Sequence, residues 1–311
     1  MSGAVVARGL VKRYGSRAAV DGIDLDVRPG ECFGLLGPNG AGKSTTMRML
    51  SCLTPRDGGT LLVLGLDPER EPRALKRMLG VVAQETTLDL ELTVRENLLV
   101  FARYFDIPRR DAERRAAGLL RTMDLADRAD DQVDRLSGGM RRRLQIGRAL
   151  VNDPRLVLLD EPTTGLDPQA RHVVWDRLRA LRAAGATLLL TSHYMDEAER
   201  LCDRLAIIDR GRISRIGAPA DLIAAETGRE ALELLVAPGD AARLLAALGA
   251  PAPVHRLDGD HLTLFGDDAE QLHERVRATG LPARRRTVRM AGLEDVFLAL
   301  TGHRLDDEAE R

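Results

Sequence analysis

Short apolar runs, separated by glycine, proline and charged residues, recur along most of this chain. Each run is long enough for a buried strand, and after residue 150 the runs alternate with stretches of helical periodicity. Such alternation predicts a parallel sheet covered by helices. The first strands read instead as an antiparallel subdomain. Strands are predicted at 4–10, 22–27, 31–36, 59–64, 80–83, 156–159, 187–191 and 205–208.

Between the two groups of strands, residues 93–151 are predicted to be mostly helical. Thr93 and Glu96 have the spacing of a capping box, and Leu98, Phe101 and Phe105 follow at helical spacing. A second helix is predicted after Asp167, a suitable N-cap residue that is followed by proline.

The character of the chain changes at about residue 229. The patterns predict a strand, a helix, two strands, a helix, a strand and a last helix, which is the β-α-β-β-α-β order of a ferredoxin-like module. Four regions are therefore expected. They are a main domain over 1–225, a helical subdomain within it at about 86–152, a small α+β accessory domain over 229–303, and a charged tail over 304–311.

A phosphate-binding loop, here called the phosphate loop, lies between the strand at 31–36 and the next helix. Glycines in such a loop let backbone N–H groups converge on phosphate oxygens, and the following helix points its positive end at the same anion. Lys43 is expected to reach the β- and γ-phosphates, and the Ser44 hydroxyl to ligate Mg²⁺. The loop fits the pattern G-x-x-x-x-G-K-[ST] with Gly37, Pro38, Asn39, Gly40, Ala41, Gly42, Lys43, Ser44 and Thr45.

Further candidate groups stand where predicted strands end, and such ends face the ligand crevice in parallel sheets. Asp160 is expected to hold Mg²⁺ through water, and Glu161 to orient or deprotonate the attacking water. Gln84 could reach the metal and that water, and His193 could donate a hydrogen bond to the γ-phosphate. Tyr14 could stack on adenine. Alone, each residue also fits an ordinary turn or surface position, so the assignment depends on the set.

Composition narrows the choice of partners. The 46 basic and 47 acidic residues leave a formal net charge of −1, and aromatic residues make up 3%. Neither charge nor stacking surface favours nucleic acid. The arginine runs at 141–143 and 284–286 are expected to be solvated surface.

No apolar run approaches the ~20 residues that cross a bilayer, and the N-terminus lacks the apolar core of a signal peptide. A membrane-spanning part would therefore belong to another chain.

The whole set of motifs resembles an ABC-transporter ATP-binding subunit over residues 4 to about 225. The resemblance implies an α/β P-loop NTPase fold with an antiparallel β subdomain and a helical subdomain, with ATP and Mg²⁺ as ligands. It also implies a head-to-tail homodimer, in which Ser137 and Gly139 act on the partner's nucleotide and Gly138 and Asp167 belong to the nucleotide-binding set. The motifs in order are Tyr14, the phosphate loop, Gln84, the signature turn Leu136-Ser137-Gly138-Gly139-Met140, Asp160-Glu161, Gly165-Leu166-Asp167 and His193.

Two positions depart from the family pattern. Met140 replaces the usual glutamine of the signature turn, and Thr164-Gly165 replaces the usual Ser-Ala before Leu166. Neither change removes a catalytic group.

A finer resemblance points to the nodulation-factor and daunorubicin exporter branch. It is carried by residues 93–101, by Ala170-Arg171-His172, by residues 199–205 and by residues 293–297. It implies a separate ABC-2 type membrane permease with six helices, a peripheral position at the cytoplasmic face of the cell membrane, and outward export of a drug, a lipid or a lipo-oligosaccharide.

Other functions fit the sequence less well. The signature turn argues against a kinase or a GTPase. A soluble ABC ATPase acting on DNA or ribosomes would predict a coiled-coil insertion, zinc cysteines or two ATPase cassettes, and the sequence has none. A nucleotide switch without turnover is disfavoured by the intact Asp160, Glu161 and His193. The expected activity is therefore ATP hydrolysis coupled to transport.

Overall fold

The computed structural model describes residues 3–237, 239–249, 253–282 and 285–301. It divides into two compact units, the first ending at Ile216 and the second beginning at Gly217. In the part of the chain that the structure describes, no helix combines the length and the apolar character that a bilayer span requires.

Nine strands and seven α-helices form the described part of the first unit. The strands are β1 (Val5–Tyr14), β2 (Arg17–Val27), β3 (Cys32–Leu36), β4 (Gly58–Val63), β5 (Leu79–Val82), β6 (Leu156–Asp160), β7 (Thr187–Ser192), β8 (Arg204–Asp209) and β9 (Arg212–Gly217). The helices are α1 (Lys43–Leu50), α2 (Pro72–Lys76), α3 (Val94–Arg103), α4 (Arg109–Thr122), α5 (Gly138–Ala149), α6 (Pro168–Ala183) and α7 (Met195–Leu201).

These strands form two sheets. One is a three-stranded antiparallel sheet in the order β2-β1-β4. The other has six strands in the order β5-β6-β7-β3-β8-β9, and its neighbours from β5 to β8 are parallel. Strands β3, β6 and β7 are buried almost throughout, which explains their continuous apolar runs. The predicted α/β fold is confirmed, as are the helical segment after residue 93 and the capping box at Thr93.

The sequence patterns missed β9 and the short helix α2. Strand β9 carries mostly exposed or half-buried residues, so it lacks the apolar run that identified the central strands. Helix α2 spans only five residues, which is too short for a helical period to show.

The second unit contains α8 (Pro219–Glu226), β10 (Glu230–Leu235), α9 (Asp240–Ala247), β11 (Val254–Asp258), β12 (His261–Gly266), α10 (Ala269–Ala278), β13 (Arg285–Met290) and α11 (Leu293–Thr301). Its sheet is antiparallel in the order β11-β12-β10-β13. Helix α9 connects β10 to β11, and helix α10 connects β12 to β13. In the sheet, a third strand lies between the two members of each pair, which is the split arrangement of a ferredoxin-like module. The expected charged tail lies outside the described residues.

A buried carboxylate organises one side of this second unit. Asp295, at 3% exposure, accepts hydrogen bonds from Arg289 at 2.7 and 2.8 Å and from Arg256 at 3.3 Å. Burial alone would raise the pKa of Asp295, but Arg289, the Gly292 N–H and Arg256 together lower it. The ionised form is therefore the one that the fold stabilises.

We expect Asp295→Asn to destabilise the second unit by about 2 kcal/mol, because it leaves two arginines without their shared charge. Amide hydrogen exchange in β10 and α11 should then become roughly 30-fold faster. Since folding lowers the pKa of Asp295, the contribution exists above the unfolded pKa of about 4 and disappears as pH falls through the folded value. Asp260→Asn is the control, since that side chain is 53% exposed. Equal exchange in both variants would contradict the assignment.

Candidate active site

The strand order brings distant segments of the first unit to one sheet edge. The phosphate loop follows β3, Gln84 follows β5 within two residues, Glu161 follows β6, and His193 follows β7. Because β5, β6, β7 and β3 are adjacent and parallel, their carboxyl ends meet at this edge. Residues up to about 150 positions apart in sequence therefore share one site.

The phosphate loop packs against neighbouring backbone so closely that glycine is required. Gly42 has φ +105°, and a Cβ at this position would lie 2.3 Å from the carbonyl oxygen of Ala19. A Cβ at Gly37 would lie 2.1 Å from the carbonyl oxygen of Ile208. Gly42 is also the N-cap of α1 and provides no side-chain cap, so the first-turn N–H groups can serve an anion.

Lys43 lies at the centre of the phosphate loop and is 4% exposed. Its Nζ donates hydrogen bonds to the carbonyl oxygens of Gly37 at 2.7 Å and Pro38 at 3.0 Å. The same atom lies 3.8 Å from Glu161 Oε1. Burial lowers the pKa of Lys43, while Glu161 and Asp160 act in the opposite direction. A cation is thus held between the loop and the acidic end of β6.

Glu161 is the best-connected acidic side chain of the site. It is 6% exposed and has a left-handed backbone with φ +48°. Its Oε2 accepts hydrogen bonds from Gln84 Nε2 and Thr164 Oγ1, both at 3.1 Å. His193 Nδ1 lies 3.3 Å from Oε1, without an aligned hydrogen bond.

These neighbours determine the protonation of Glu161. The approach of His193 is the largest influence that lowers its pKa, and Lys43 and Thr164 act in the same direction against burial. The net pKa is below the usual glutamate value, so this carboxylate is ionised at neutral pH and can accept a proton.

Asp160 lies next to the phosphate loop and accepts hydrogen bonds from two hydroxyl groups. Its Oδ1 accepts hydrogen bonds from Ser44 Oγ at 3.2 Å and from Thr191 Oγ1 at 2.5 Å. Hydroxyl and carboxylate oxygens are the ligands that hard divalent cations prefer. This cluster therefore fits Mg²⁺ in its chemistry.

An open cleft of about 570 Å³, here called the first cleft, runs along the phosphate loop. Its size suits a nucleotide. Tyr14, 50% exposed, lies in its wall, as does Arg17, which donates to the carbonyl oxygen of Gly40 at 3.4 Å. Its lining comprises Tyr14, Arg17, Ala19, Asn39, Gly40, Gly42, Lys43, Ser44, Thr45, Gln84 and Glu161.

Three residues of this region were missed by sequence reasoning. Thr191 and Thr164 stand beside recognised motifs, so their hydroxyl groups were a usable signal. Arg17 carries no such signal, because its place in the cleft depends on how β2 runs past the phosphate loop.

The signature turn forms a different cleft. Ser137 is the N-cap of α5 and its Oγ accepts a hydrogen bond from Met140 N at 3.3 Å, while Asp167 caps α6 in the same way through Ala170 N at 2.9 Å. A second cleft of about 190 Å³ is lined by Ser137, Gly139, Met140, Arg143, Asp167, Gln169, Ala170 and Val173. The two clefts share no lining residue, so Ser137 and Asp167 do not line the cleft that runs along the phosphate loop of the same chain.

The expectation of a solvated arginine run at 141–143 was wrong for Arg142. This residue is 7% exposed, and burial lowers the pKa of its guanidinium to about 10. Carbonyl groups where strands end need donors, and a guanidinium offers five in a fixed fork. Arg142 donates hydrogen bonds to the carbonyl oxygens of Ala83, Asp160, Glu161 and Pro162 at 2.6–2.9 Å.

Comparison with known proteins places these features in a family context. A family model described as "ABC transporter" matches residues 20–164. The Nod factor export ATP-binding protein I of Burkholderia orbicola (strain AU 1054) is 49% identical over 300 residues, covering 96% of this chain and 97% of that protein. The protein of the same name from Mesorhizobium japonicum is 47% identical over 304 residues, covering 98% of this chain and 88% of that protein.

Among solved structures, the dimeric post-hydrolysis state of an ATP-binding cassette bound to ADP and Pi is similar to this chain. The TM-score is 0.63 and the identity 25%, over 69% of this chain and 98% of that chain.

We expect Gly42→Ala to reduce ATP affinity roughly tenfold or more, because the added methyl group forces the phosphate-binding N–H groups out of position. Titration with a fluorescent ATP analogue measures the effect. Gly65→Ala is the matched control, since Gly65 has a similar φ of +83° but no atom within 4 Å of the added Cβ. An unchanged affinity in Gly42→Ala would contradict the role of this close approach.

Proposed function

Because this chain belongs to the ABC transporter family, we propose that it is the ATP-hydrolysing subunit of an exporter whose membrane-spanning part is a separate chain. One observation carries this proposal. The ionised carboxylate of Glu161 lies between Lys43, Gln84 and His193, beside a loop that is shaped for phosphate. Hydrolysis needs such a base next to bound phosphate.

ATP occupies the first cleft in this mechanism. The backbone N–H groups of the phosphate loop hold the phosphates, Lys43 turns from the loop carbonyls to the β- and γ-phosphates, and Tyr14 stacks on adenine. Ser44, Asp160 and Gln84 would hold Mg²⁺. That ion, when bound, offsets the negative charge of the phosphates.

Glu161 then acts as the base for hydrolysis. Its carboxylate takes a proton from a water molecule as the water oxygen attacks the γ-phosphorus, and the bond from that phosphorus to the ADP oxygen breaks. His193 donates a hydrogen bond to the γ-phosphate, and Gln84 keeps the carboxylate directed at the water. The products are ADP and inorganic phosphate.

Two copies of the chain complete each site. Ser137, Gly138, Gly139 and Asp167 of one copy act at the nucleotide held by the phosphate loop of the other. The separation of the two clefts on one chain supports this head-to-tail arrangement, and the N-terminus of α5 suits a γ-phosphate. When the γ-phosphate leaves, a bridging charge is lost and the dimer reopens.

The proposed partner is an ABC-2 type permease, with this chain bound at the cytoplasmic face of the membrane. Its docking surface lies around Gln84 and α3. Exposed apolar side chains suit a partner helix there, since Tyr104 is 76%, Leu90 47% and Val100 36% exposed. The relatives are named for Nod factor export, and the cargo proposed for this chain is a drug, a lipid or a lipo-oligosaccharide.

We expect Glu161→Gln to lower ATP turnover about 100-fold or more, because an amide cannot accept the proton. ATP should then hold the chain as a stable dimer, which light scattering with size exclusion detects. Glu197→Gln is the matched control. Glu197 is also buried and lies outside both clefts, and its Oε1 accepts hydrogen bonds from Thr163 and Trp175 that an amide oxygen can also accept, so little loss of turnover is expected. Normal turnover in Glu161→Gln would contradict the proposed base.

Transport is tested with a candidate permease, which would be a hydrophobic protein with six helices encoded by a neighbouring reading frame. Inside-out vesicles that contain both chains should take up labelled lipo-oligosaccharide only with ATP, and Glu161→Gln should abolish the uptake. A wild-type chain that hydrolyses ATP but neither binds that protein nor supports uptake would favour the soluble ABC ATPase instead.

A further inference from the structure

We propose that Arg142 is a positioning residue that couples the two ATP sites of the dimer. The proposal rests on the head-to-tail dimer described above. In that arrangement the signature turn of a chain touches its partner's nucleotide, whereas Glu161 and Gln84 serve the chain's own nucleotide. Arg142 connects these two sets of residues within a single chain.

The first part of the connection is helix α5. Ser137 caps this helix, so Arg142 follows the signature turn within about one and a half helical turns. The start of α5 also packs tightly against α6, because a Cβ at Gly139 would lie 2.9 Å from Ala170 Cβ. Because close-packed interiors transmit strain, a displacement of the signature turn would be passed along α5 to Arg142.

The second part is the set of carbonyl groups that Arg142 holds. Nη1 donates to Ala83 O at 2.6 Å, next to Gln84 in the chain. Nη2 donates to Asp160 O and Glu161 O, both at 2.9 Å. Nε donates to Pro162 O at 2.7 Å. One guanidinium therefore fixes the backbone on which both Glu161 and Gln84 stand.

Gln145, one turn further along α5, strengthens this contact. It is 2% exposed, and its Oε1 accepts a hydrogen bond from Arg142 Nη1 at 2.9 Å. Its Nε2 donates to Glu85 O at 2.8 Å. Gln84 is thus held from both sides, at residue 83 by Arg142 and at residue 85 by Gln145.

Burial makes this contact stiff. Leaving several carbonyl groups and a guanidinium without partners away from water is costly, so small shifts of α5 have to carry the strand ends with them. Within the part of the chain that the structure describes, no comparable link joins Arg141 to the loops that carry Gln84 and Glu161, because its guanidinium donates to the carbonyl groups of Val133 and Asp134. Arg141 therefore provides a control with the same charge on the same helix.

The first test is the ATP dependence of hydrolysis. The wild-type chain should show a Hill coefficient of about 2, the number of sites. Arg142→Gln should bring this value to about 1 and lower kcat roughly tenfold, within the usual range of coupling between sites. ATP affinity of the monomer, measured by titration at low protein concentration, should stay within about twofold because the phosphate loop is untouched. Arg141→Gln should keep the wild-type Hill coefficient.

The second test places the substitution in one half of a mixed dimer. One chain carries Glu161→Gln, so only the site of the other chain turns over. Arg142→Gln is then added either to the active chain or to the Glu161→Gln chain, whose signature turn faces the active site. If Arg142 couples the two sites, turnover should fall in both placements. If Arg142 only holds Glu161 of its own chain in position, turnover should fall only when the active chain carries the substitution.

These outcomes separate the inference from the proposed function. A wild-type chain without hydrolysis, or a Glu161→Gln chain that never dimerises, would refute the proposed function itself. The coupling role would be overturned if the wild-type chain dimerises and hydrolyses ATP normally but Arg142→Gln keeps a Hill coefficient of about 2. It would also be overturned if Arg142→Gln lowers turnover in the mixed dimer only when the active chain carries it.

If Arg142→Gln fails to fold, Arg142→Lys is the variant to measure, since it keeps the buried charge and loses the planar set of donors of the guanidinium. It should show the same fall in Hill coefficient, and an unchanged coefficient would overturn the proposal.

Discussion

The candidate site at the carboxyl ends of the six-stranded sheet depends on the balance of buried charge between Lys43 and the acidic end of β6. Lys43 and Glu161 are both nearly inaccessible, and either charge alone would be costly to keep away from water. Because β3 and β6 are separated only by β7, the lysine after one strand and the carboxylates of the other come together without a long loop. Gln84 and His193 then reach Glu161 from the remaining strand ends.

Much of this arrangement could be predicted from the sequence, because it depends on local patterns. The buried strands are continuous apolar runs, and the phosphate loop needs its glycines wherever it occurs. The remainder depends on contacts between distant segments. Arg142 lies in a run of three arginines that reads as surface, and only the meeting of α5 with the ends of β5 and β6 reveals the carbonyl groups that it holds. Strand β9 was missed because an edge strand needs no apolar run.

The departure at Met140 has a modest physical meaning. Its side chain lines the second cleft beside Ser137 and Gly139, where the family usually has an amide. A thioether is a weak hydrogen-bond acceptor and offers no donor, so the side chain at this position makes weaker polar contacts than an amide would. The positive end of α5 remains in place for an anion.

The left-handed backbone of Glu161 has a consequence for how this carboxylate is aimed. L-residues avoid that conformation, so neighbouring groups have to maintain it. Thr191 Oγ1 accepts from its amide N–H at 2.9 Å, and Arg142 donates to its carbonyl oxygen. Because the peptide groups on both sides of Glu161 are fixed by hydrogen bonds, the main chain sets the direction of its side chain. Evolution could therefore exchange the acid at this position without rebuilding the geometry that presents it.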